Sequence, residues 1–349
     1  MSMAPSHRRR RSAPLRLEDA TDEALLAMRF CDLPLRLENT LLARRIARLH
    51  RELEARNLTA LPHVWLSEEF FTPEGVLGFA VPFYLAHPRL MRLERNQMLE
   101  VEGAGEAECR RILRHEAGHA LDEAYSLQQR ERYRQLFGNP SKPYPSSYKP
   151  RPDSRNHVIN LSAWYAQAHP VEDFAETFAV WVNPYLDWRS DYKNWPALEK
   201  LEYVDELMRE IAALPALRSD ESEIDPLSQL RRSLQDHYKK KRAHFAWTWP
   251  ANYDQDLRRI FSDDPSTAGA LPATRFLRSM RHQLRTRIAE GTGVHAYAVD
   301  QLLRQMITRA QSLGLRVIEP TATTMEKLLV MLTMQTATVV HVGYPKVAM

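Results

Sequence analysis

The sequence predicts an α+β fold: a small mixed sheet and two helices that face each other, followed by a mostly helical C-terminal region. Val64 to Phe71 and Phe79 to Leu85 are rich in β-branched and aromatic residues, and the turn signal Pro73-Glu74-Gly75 separates them. Beyond residue 226 every periodic stretch has the apolar spacing of a helix. A chain of 349 residues can bury at least one large core and is expected to divide in two.

The N-terminal part divides into a tail and a helical segment. Residues 1–17 contain the run Arg8 to Arg11 without a following apolar stretch, which predicts a disordered basic tail rather than a secretory signal. Residues 18–60 are predicted to form helices, because five apolar side chains repeat along one helical face: Leu41, Leu42, Ile46, Leu49 and Leu53. Leu90 to Leu93 are expected to add a further strand.

A long helix, predicted from Glu106 to Phe137, carries the pattern His-Glu-x-x-His. With 3.6 residues per turn, His115 and His119 lie one turn apart on one face, where both imidazoles can bind one metal ion. Catalytic zinc usually takes three protein ligands and leaves its fourth position to water. A third donor must therefore come from another part of the chain.

A second short helix, predicted to begin at Pro170 and to end at Asn183, offers this donor. Glu172 is predicted as the third zinc ligand. Glu176 lies one turn further on, where its carboxylate would accept a hydrogen bond from His115 and fix its tautomer. Four other donors stay open as alternatives and rank below Glu172: Asp122, Glu123, His169 and Asp173.

The same residues would support hydrolysis. A zinc ion at this site would activate a water molecule, and Glu116 would take its proton and pass it to the leaving amine. The oxyanion that then develops needs a further hydrogen-bond donor. Tyr165, just ahead of the Glu172 helix, is predicted to be this donor, and His157 is the second candidate.

Two irregular segments predict a wall of the cleft and a boundary between domains. The segment from Pro140 to His157 holds five prolines and joins the two halves of the metal site, so we expect it to form a wall of the cleft. The acidic segment from Ser219 to Asp225 is a candidate domain boundary. A catalytic domain is accordingly predicted over residues 61–218 and a helical C-terminal domain over residues 226–349.

Composition narrows the class of protein. A formal net charge of +4, without a basic stripe interleaved with aromatic residues, does not indicate a nucleic-acid partner. No apolar run has the length of a membrane span, and the two cysteines, Cys31 and Cys109, form neither a disulfide framework nor a zinc cluster. We therefore expect a cytoplasmic protein without a membrane partner. The oligomeric state is left open.

The stretch from His115 to Asp122, together with that from Trp164 to Ala179, resembles the bacterial zinc-binding metallopeptidase family. More distantly, the chain is similar to the zincins whose third ligand is glutamate (gluzincins), including the anthrax lethal factor protease. The resemblance implies a zincin-like catalytic domain, with His115, His119 and Glu172 as zinc ligands and Glu116 as general base. The lethal factor type has an active-site tyrosine seven residues before its ligand glutamate, and Tyr165 stands seven residues before Glu172.

The function predicted from sequence is zinc-dependent hydrolysis of peptide bonds in a protein or peptide substrate. One alternative is a zinc-dependent amide hydrolase acting on a small metabolite, which a deep closed pocket would favour. The other is a non-catalytic, zinc-stabilised scaffold whose helical half binds a partner protein. The presence of Glu116 argues against a scaffold, because holding the metal does not require it.

Overall fold

The computed structural model describes residues 16–212, 214–218, 220–247, 249, 253–342 and 344–345, with the backbone alone from residue 338 onward. Residues 1–15 of the predicted tail lie outside the described residues. Leu17, which the prediction placed at the end of that tail, is buried in a hydrophobic core.

The described chain is an α+β fold in which helices predominate and the sheets are small. The helices are α1 (Asp22–Ala27), α2 (Leu41–Glu54), α3 (Pro88–Met98), α4 (Glu106–Tyr125), α5 (Glu131–Phe137), α6 (Pro170–Val182), α7 (Trp188–Asp191), α8 (Ala197–Ile211), α9 (Leu234–His244), α10 (Asp254–Arg258), α11 (Ala273–Thr292), α12 (Ala296–Ser312) and α13 (Thr321–Val342). The strands are β1 (His63–Ser67), β2 (Gly78–Pro82), β3 (Ser147–Tyr148), β4 (Phe261–Ser262), β5 (Arg316–Val317) and β6 (Tyr344–Pro345).

The sheet beside α4 is shorter than predicted. Strands β1 and β2 pair in parallel, with His63 opposite Gly78, and every residue of β2 is buried. Phe71 follows as an isolated antiparallel bridge, where its carbonyl accepts a hydrogen bond from the Ala80 N–H at 2.8 Å. This bridge brings the chain from Phe70 to Glu74 to the rim of the cleft described below.

The strand predicted over Leu90 to Leu93 is wrong, because these residues lie in helix α3. Pro88 occupies the first helical turn, and the ring of His87 accepts a hydrogen bond from the Arg89 N–H at 3.1 Å. Leu90 and Leu93 are both fully buried, and their spacing of three places them on the same face of the helix.

Helix α4 ends at Tyr125, so the prediction of one continuous helix to Phe137 is also wrong. Ser126 adopts a left-handed conformation with φ of 51°, and the chain turns before α5 begins. The turn is held by Asp122, whose carboxylate accepts hydrogen bonds from the Gln128 N–H at 2.9 Å and the Tyr133 hydroxyl at 3.1 Å. Helix α5 consequently folds back against α6.

Helices α4 and α6 approach closely at Gly118. A Cβ atom at this position would lie 3.1 Å from Ala175 Cα and 3.2 Å from Phe178 Cβ, both on α6. On its other side α4 is fastened to α2 by a buried ion pair, in which Arg114 donates to both carboxylate oxygens of Glu52 at 2.7 and 2.9 Å. The backbones that carry the two histidines and the two glutamates are therefore fixed relative to each other.

We expect Gly118→Val to lower the free energy of unfolding by about 1–3 kcal/mol, because its side chain must displace the backbone of α6. Gly291→Val is the matched control, since nothing lies within 4 Å of a Cβ at that helical position. Chemical denaturation of both variants measures the difference. Equal losses would contradict the close approach of the two helices.

The buried apolar side chains form two main cores. The first surrounds α4 and α6 and extends from Leu17 to Tyr238, and the second lies among α10 to α13. Leu227, Leu234 and Tyr238 belong to the first core although they follow the boundary predicted at residue 226. The division into domains stays a prediction. Among the helices of the described residues, none combines the length and the apolar character needed to cross a lipid bilayer.

Candidate metal centre

Three side chains from α4 and α6 meet at the crossing of these helices. His115 and His119 point from α4 towards the first turn of α6, where Glu172 lies. The two Nε2 atoms are 2.9 Å apart, and Oε2 of Glu172 lies 3.1 Å from Nε2 of His115 and 3.2 Å from that of His119. Two imidazole nitrogens and one carboxylate oxygen thus form a nearly equilateral triangle.

This triangle fits a zinc ion. Zinc binds histidine nitrogen and carboxylate oxygen at about 2.0–2.2 Å, and a tetrahedral arrangement then separates the ligand atoms by about 3.3 Å. Among the described residues, this is the single group of three or more histidine, cysteine or acidic side chains close enough to share an ion. The structure therefore brings together the residues that the sequence predicted as ligands.

Glu176 makes the contact predicted for it. Its Oε1 lies 2.8 Å from Nδ1 of His115 and accepts a hydrogen bond from Asn160 Nδ2 at 2.7 Å, while its Oε2 accepts one from the Leu161 N–H at 2.8 Å. A carboxylate in this position favours a proton on Nδ1 of His115 and leaves Nε2 free to bind a metal.

The electrostatic field at this crossing favours a positive charge. Although burial opposes it, the carboxylates of Glu172 and Glu176 raise the pKa of His115 to about 10. Burial likewise works against ionisation of Glu172, but His119 and His115 hold its pKa well below the usual range. The same attraction that retains a proton here would retain a metal cation once the imidazole is neutral.

Glu116 follows His115 and lies at the floor of the cleft, 2 % exposed. Burial raises its pKa, while the neighbouring histidines and Thr72 act in the opposite direction. The Thr72 hydroxyl donates a hydrogen bond to Oε2 of Glu116 at 2.9 Å. This contact orients the carboxylate from the opposite wall.

Tyr165 lines the same cleft, and its ring centroid lies 5.8 Å from that of His115. Burial raises the pKa of its hydroxyl well above the usual value, so it stays a proton donor. The two residues before it, Ala163 and Trp164, both have left-handed φ angles, of 57° and 53°. Such backbone costs about 1–3 kcal/mol per residue, and here it turns the chain so that Tyr165 faces the cleft.

The alternative donors are engaged elsewhere. His169 caps α6 and contacts the Lys142 carbonyl at 2.8 Å, and Asp173 accepts a hydrogen bond from Lys200 at 2.5 Å. Asp122 holds the turn after α4, and Glu123 accepts a hydrogen bond from the Gly75 N–H at 2.9 Å. His157, the second candidate for the oxyanion donor, lies 3.7 Å from Asp173 and does not line the cleft.

Two residues of the site were not predicted as such. Thr72 contacts Glu116, and the Tyr144 hydroxyl donates to Oε1 of Glu172 at 2.8 Å. Neither lies at a helical spacing from a motif residue, so no periodic signal indicated them. The segment from Pro140 to His157 was expected to wall the cleft, and Pro140, Ser141 and Tyr144 do line it.

The cleft over the three ligand atoms has a volume of about 560 Å³. A second cavity of about 410 Å³ adjoins it and shares five of its lining residues: Glu74, Glu123, Gln128, Pro140 and Ser141. The two cavities together form a groove that runs from the metal centre to Arg134 and Arg218.

One comparison with known proteins found a family. Residues 110–189, which include α4 and α6, match the family model described as "Putative zinc-binding metallo-peptidase". The matched segment contains both histidines, both glutamates of α6 and Tyr165. No curated protein and no solved structure shows a significant match to the chain.

Proposed function

We propose that this chain is a zinc metallopeptidase with a zincin-like catalytic domain, which hydrolyses a protein or peptide substrate. The observation that carries the proposal is the triangle of His115 Nε2, His119 Nε2 and Glu172 Oε2, with the carboxylate of Glu116 beside it. The match of residues 110–189 to a zinc-binding peptidase family supports it.

Zinc, when bound, lowers the pKa of a coordinated water and polarises a substrate carbonyl. The chain's own residues transfer the proton, stabilise the oxyanion and orient the ligands. Glu116 accepts the water proton on its carboxylate and delivers it to the leaving amine, while Thr72 keeps that carboxylate oriented. Tyr165 donates its hydroxyl proton in a hydrogen bond to the developing oxyanion. Glu176 fixes the tautomer of His115.

A peptide suits the groove better than a small metabolite does. The cleft over the ligand atoms continues into a second cavity, instead of closing behind Glu123 and Gln128. Within the described part of the chain, the backbone N–H and C=O of Thr72 at the rim have no hydrogen-bond partner. These groups are available to an extended peptide, which binds such an edge by main-chain pairing.

A scaffold would not need the arrangement around Glu116. Glu116 is buried, and among the residues that the structure describes it forms no ion pair and accepts one side-chain hydrogen bond, from Thr72, so its burial costs free energy. Catalytic sites commonly bury a carboxylate at such a cost in free energy, whereas a structural zinc site would gain nothing from it.

Chelation tests the proposal. The full chain, purified without chelator, is incubated with a mixture of denatured proteins, and new termini are identified by mass spectrometry. We expect 1,10-phenanthroline to abolish cleavage and added zinc to restore it. A zinc-loaded, folded chain that cleaves none of the proteins but hydrolyses small N-acyl amino acids would instead support the amide hydrolase. Cleavage that persists after complete removal of metal would refute both.

A further inference from the structure

The two carboxylate oxygens of Glu172 have different surroundings. Oε2 lies 3.1 and 3.2 Å from the Nε2 atoms of His115 and His119, as a metal ligand would. Oε1 accepts a hydrogen bond from the Tyr144 hydroxyl at 2.8 Å. One oxygen is therefore turned to the candidate metal centre, and the other is held by a residue from the segment between α5 and α6.

Tyr144 is positioned by the helix that carries Glu172. Its ring stacks on that of His169, with centroids 3.9 Å apart and an interplanar angle of 17°. His169 in turn caps α6 through the Val171 N–H and contacts the Lys142 carbonyl at 2.8 Å. Because the same histidine fixes the start of α6 and the ring of Tyr144, the hydroxyl and the carboxylate keep their relative position.

A hydrogen bond to one oxygen changes how a carboxylate can bind metal. An unrestrained carboxylate can bind an ion through one oxygen or through both. A hydroxyl that occupies Oε1 favours coordination through Oε2 alone, which leaves a position for water. Loss of a hydrogen-bond partner of a metal ligand typically costs about 10- to 100-fold in metal affinity.

We propose that Tyr144 is a positioning residue that restricts Glu172 to one-oxygen coordination and so retains the metal in a four-coordinate site. The inference rests on the proposed zinc site, but it does not depend on which substrate the chain cleaves. It also assigns a role to the segment from Pro140 to His157, because this segment places Tyr144 at the mouth of the cleft.

Tyr144→Phe tests the inference, because phenylalanine keeps the stack on His169 and removes only the hydroxyl. The control is Tyr253→Phe, which loses a hydroxyl bonded to Gln305 at 3.2 Å in the second core. Zinc affinity is measured by competition with a chromogenic chelator. The visible spectrum of the cobalt-loaded chain reports the coordination number, since histidine and carboxylate ligands also bind cobalt.

We expect Tyr144→Phe to bind zinc about 10- to 100-fold more weakly than wild type and to give a weaker, five-coordinate cobalt spectrum. Tyr253→Phe should match wild type in both. If Tyr144→Phe keeps the wild-type affinity and spectrum, the role of Tyr144 is refuted while the zinc site stands. If the wild-type chain binds neither ion, the zinc site itself is refuted, and this inference with it.

Discussion

Glu116→Gln is expected to lower kcat/KM for any peptide that the wild-type chain cleaves by about 100- to 10,000-fold, the usual contribution of a general base. The amide has the shape of the carboxylate but cannot take up a proton. Its oxygen can still accept the hydrogen bond from Thr72, so the side chain should keep its place. The zinc content should therefore remain that of the wild type.

The control for this variant is Glu106→Gln, which makes the same chemical change on the same helix. Glu106 lies in the first turn of α4, where its exposed side chain pairs with Arg48 at 3.3 Å. Peptide cleavage and zinc content are measured for both variants. A Glu116→Gln chain that cleaves at the wild-type rate would show that this carboxylate is not the base, whatever its distance from the ligands.

The sequence predicted those parts of the site whose positions follow from the spacing of residues along one helix. His115 and His119 share a face because they are four residues apart on α4, and Glu172 and Glu176 share a face on α6 for the same reason. The sequence indicated that the two helices meet at this point only because the two histidines of α4 and Glu172 of α6 together make a complete set of zinc ligands. Gly118 permits the close approach, since a Cβ atom there would lie 3.1 Å from Ala175 Cα on α6.

The parts that the sequence did not predict depend on contacts between distant segments. Thr72 and Glu116 are 44 positions apart, and Tyr144 and Glu172 are 28 apart, so no single helix or strand contains both members of either pair. The early end of α4 has a similar origin. The local sequence favours continuing the helix. The hydrogen bonds that Asp122 accepts from Gln128 and Tyr133 stabilise the turn in which Ser126 is left-handed, and so the helix ends.

Glu172→Ala is expected to reduce the zinc content of the purified chain from near one ion to a small fraction. The loss should exceed the roughly 10- to 100-fold that removal of a ligand's hydrogen-bond partner costs, because a ligand atom itself disappears. Glu123→Ala is the matched control, since Glu123 was an alternative donor and instead contacts the Gly75 N–H. We expect this variant to keep its zinc. The measurement is elemental mass spectrometry beside a thermal unfolding curve.

The unfolding curve of Glu172→Ala also separates an enzyme from a scaffold. At a structural zinc site the binding free energy, about 10–16 kcal/mol, contributes directly to folding, so the loss of a ligand unfolds the domain. Here the ligand helices are fixed by other contacts: Gly118 against α6, and Arg114 against Glu52. We therefore expect a folded, zinc-depleted variant that cleaves no peptide. Unfolding on zinc loss would favour the scaffold, and full zinc retention would mean that another residue is the third ligand.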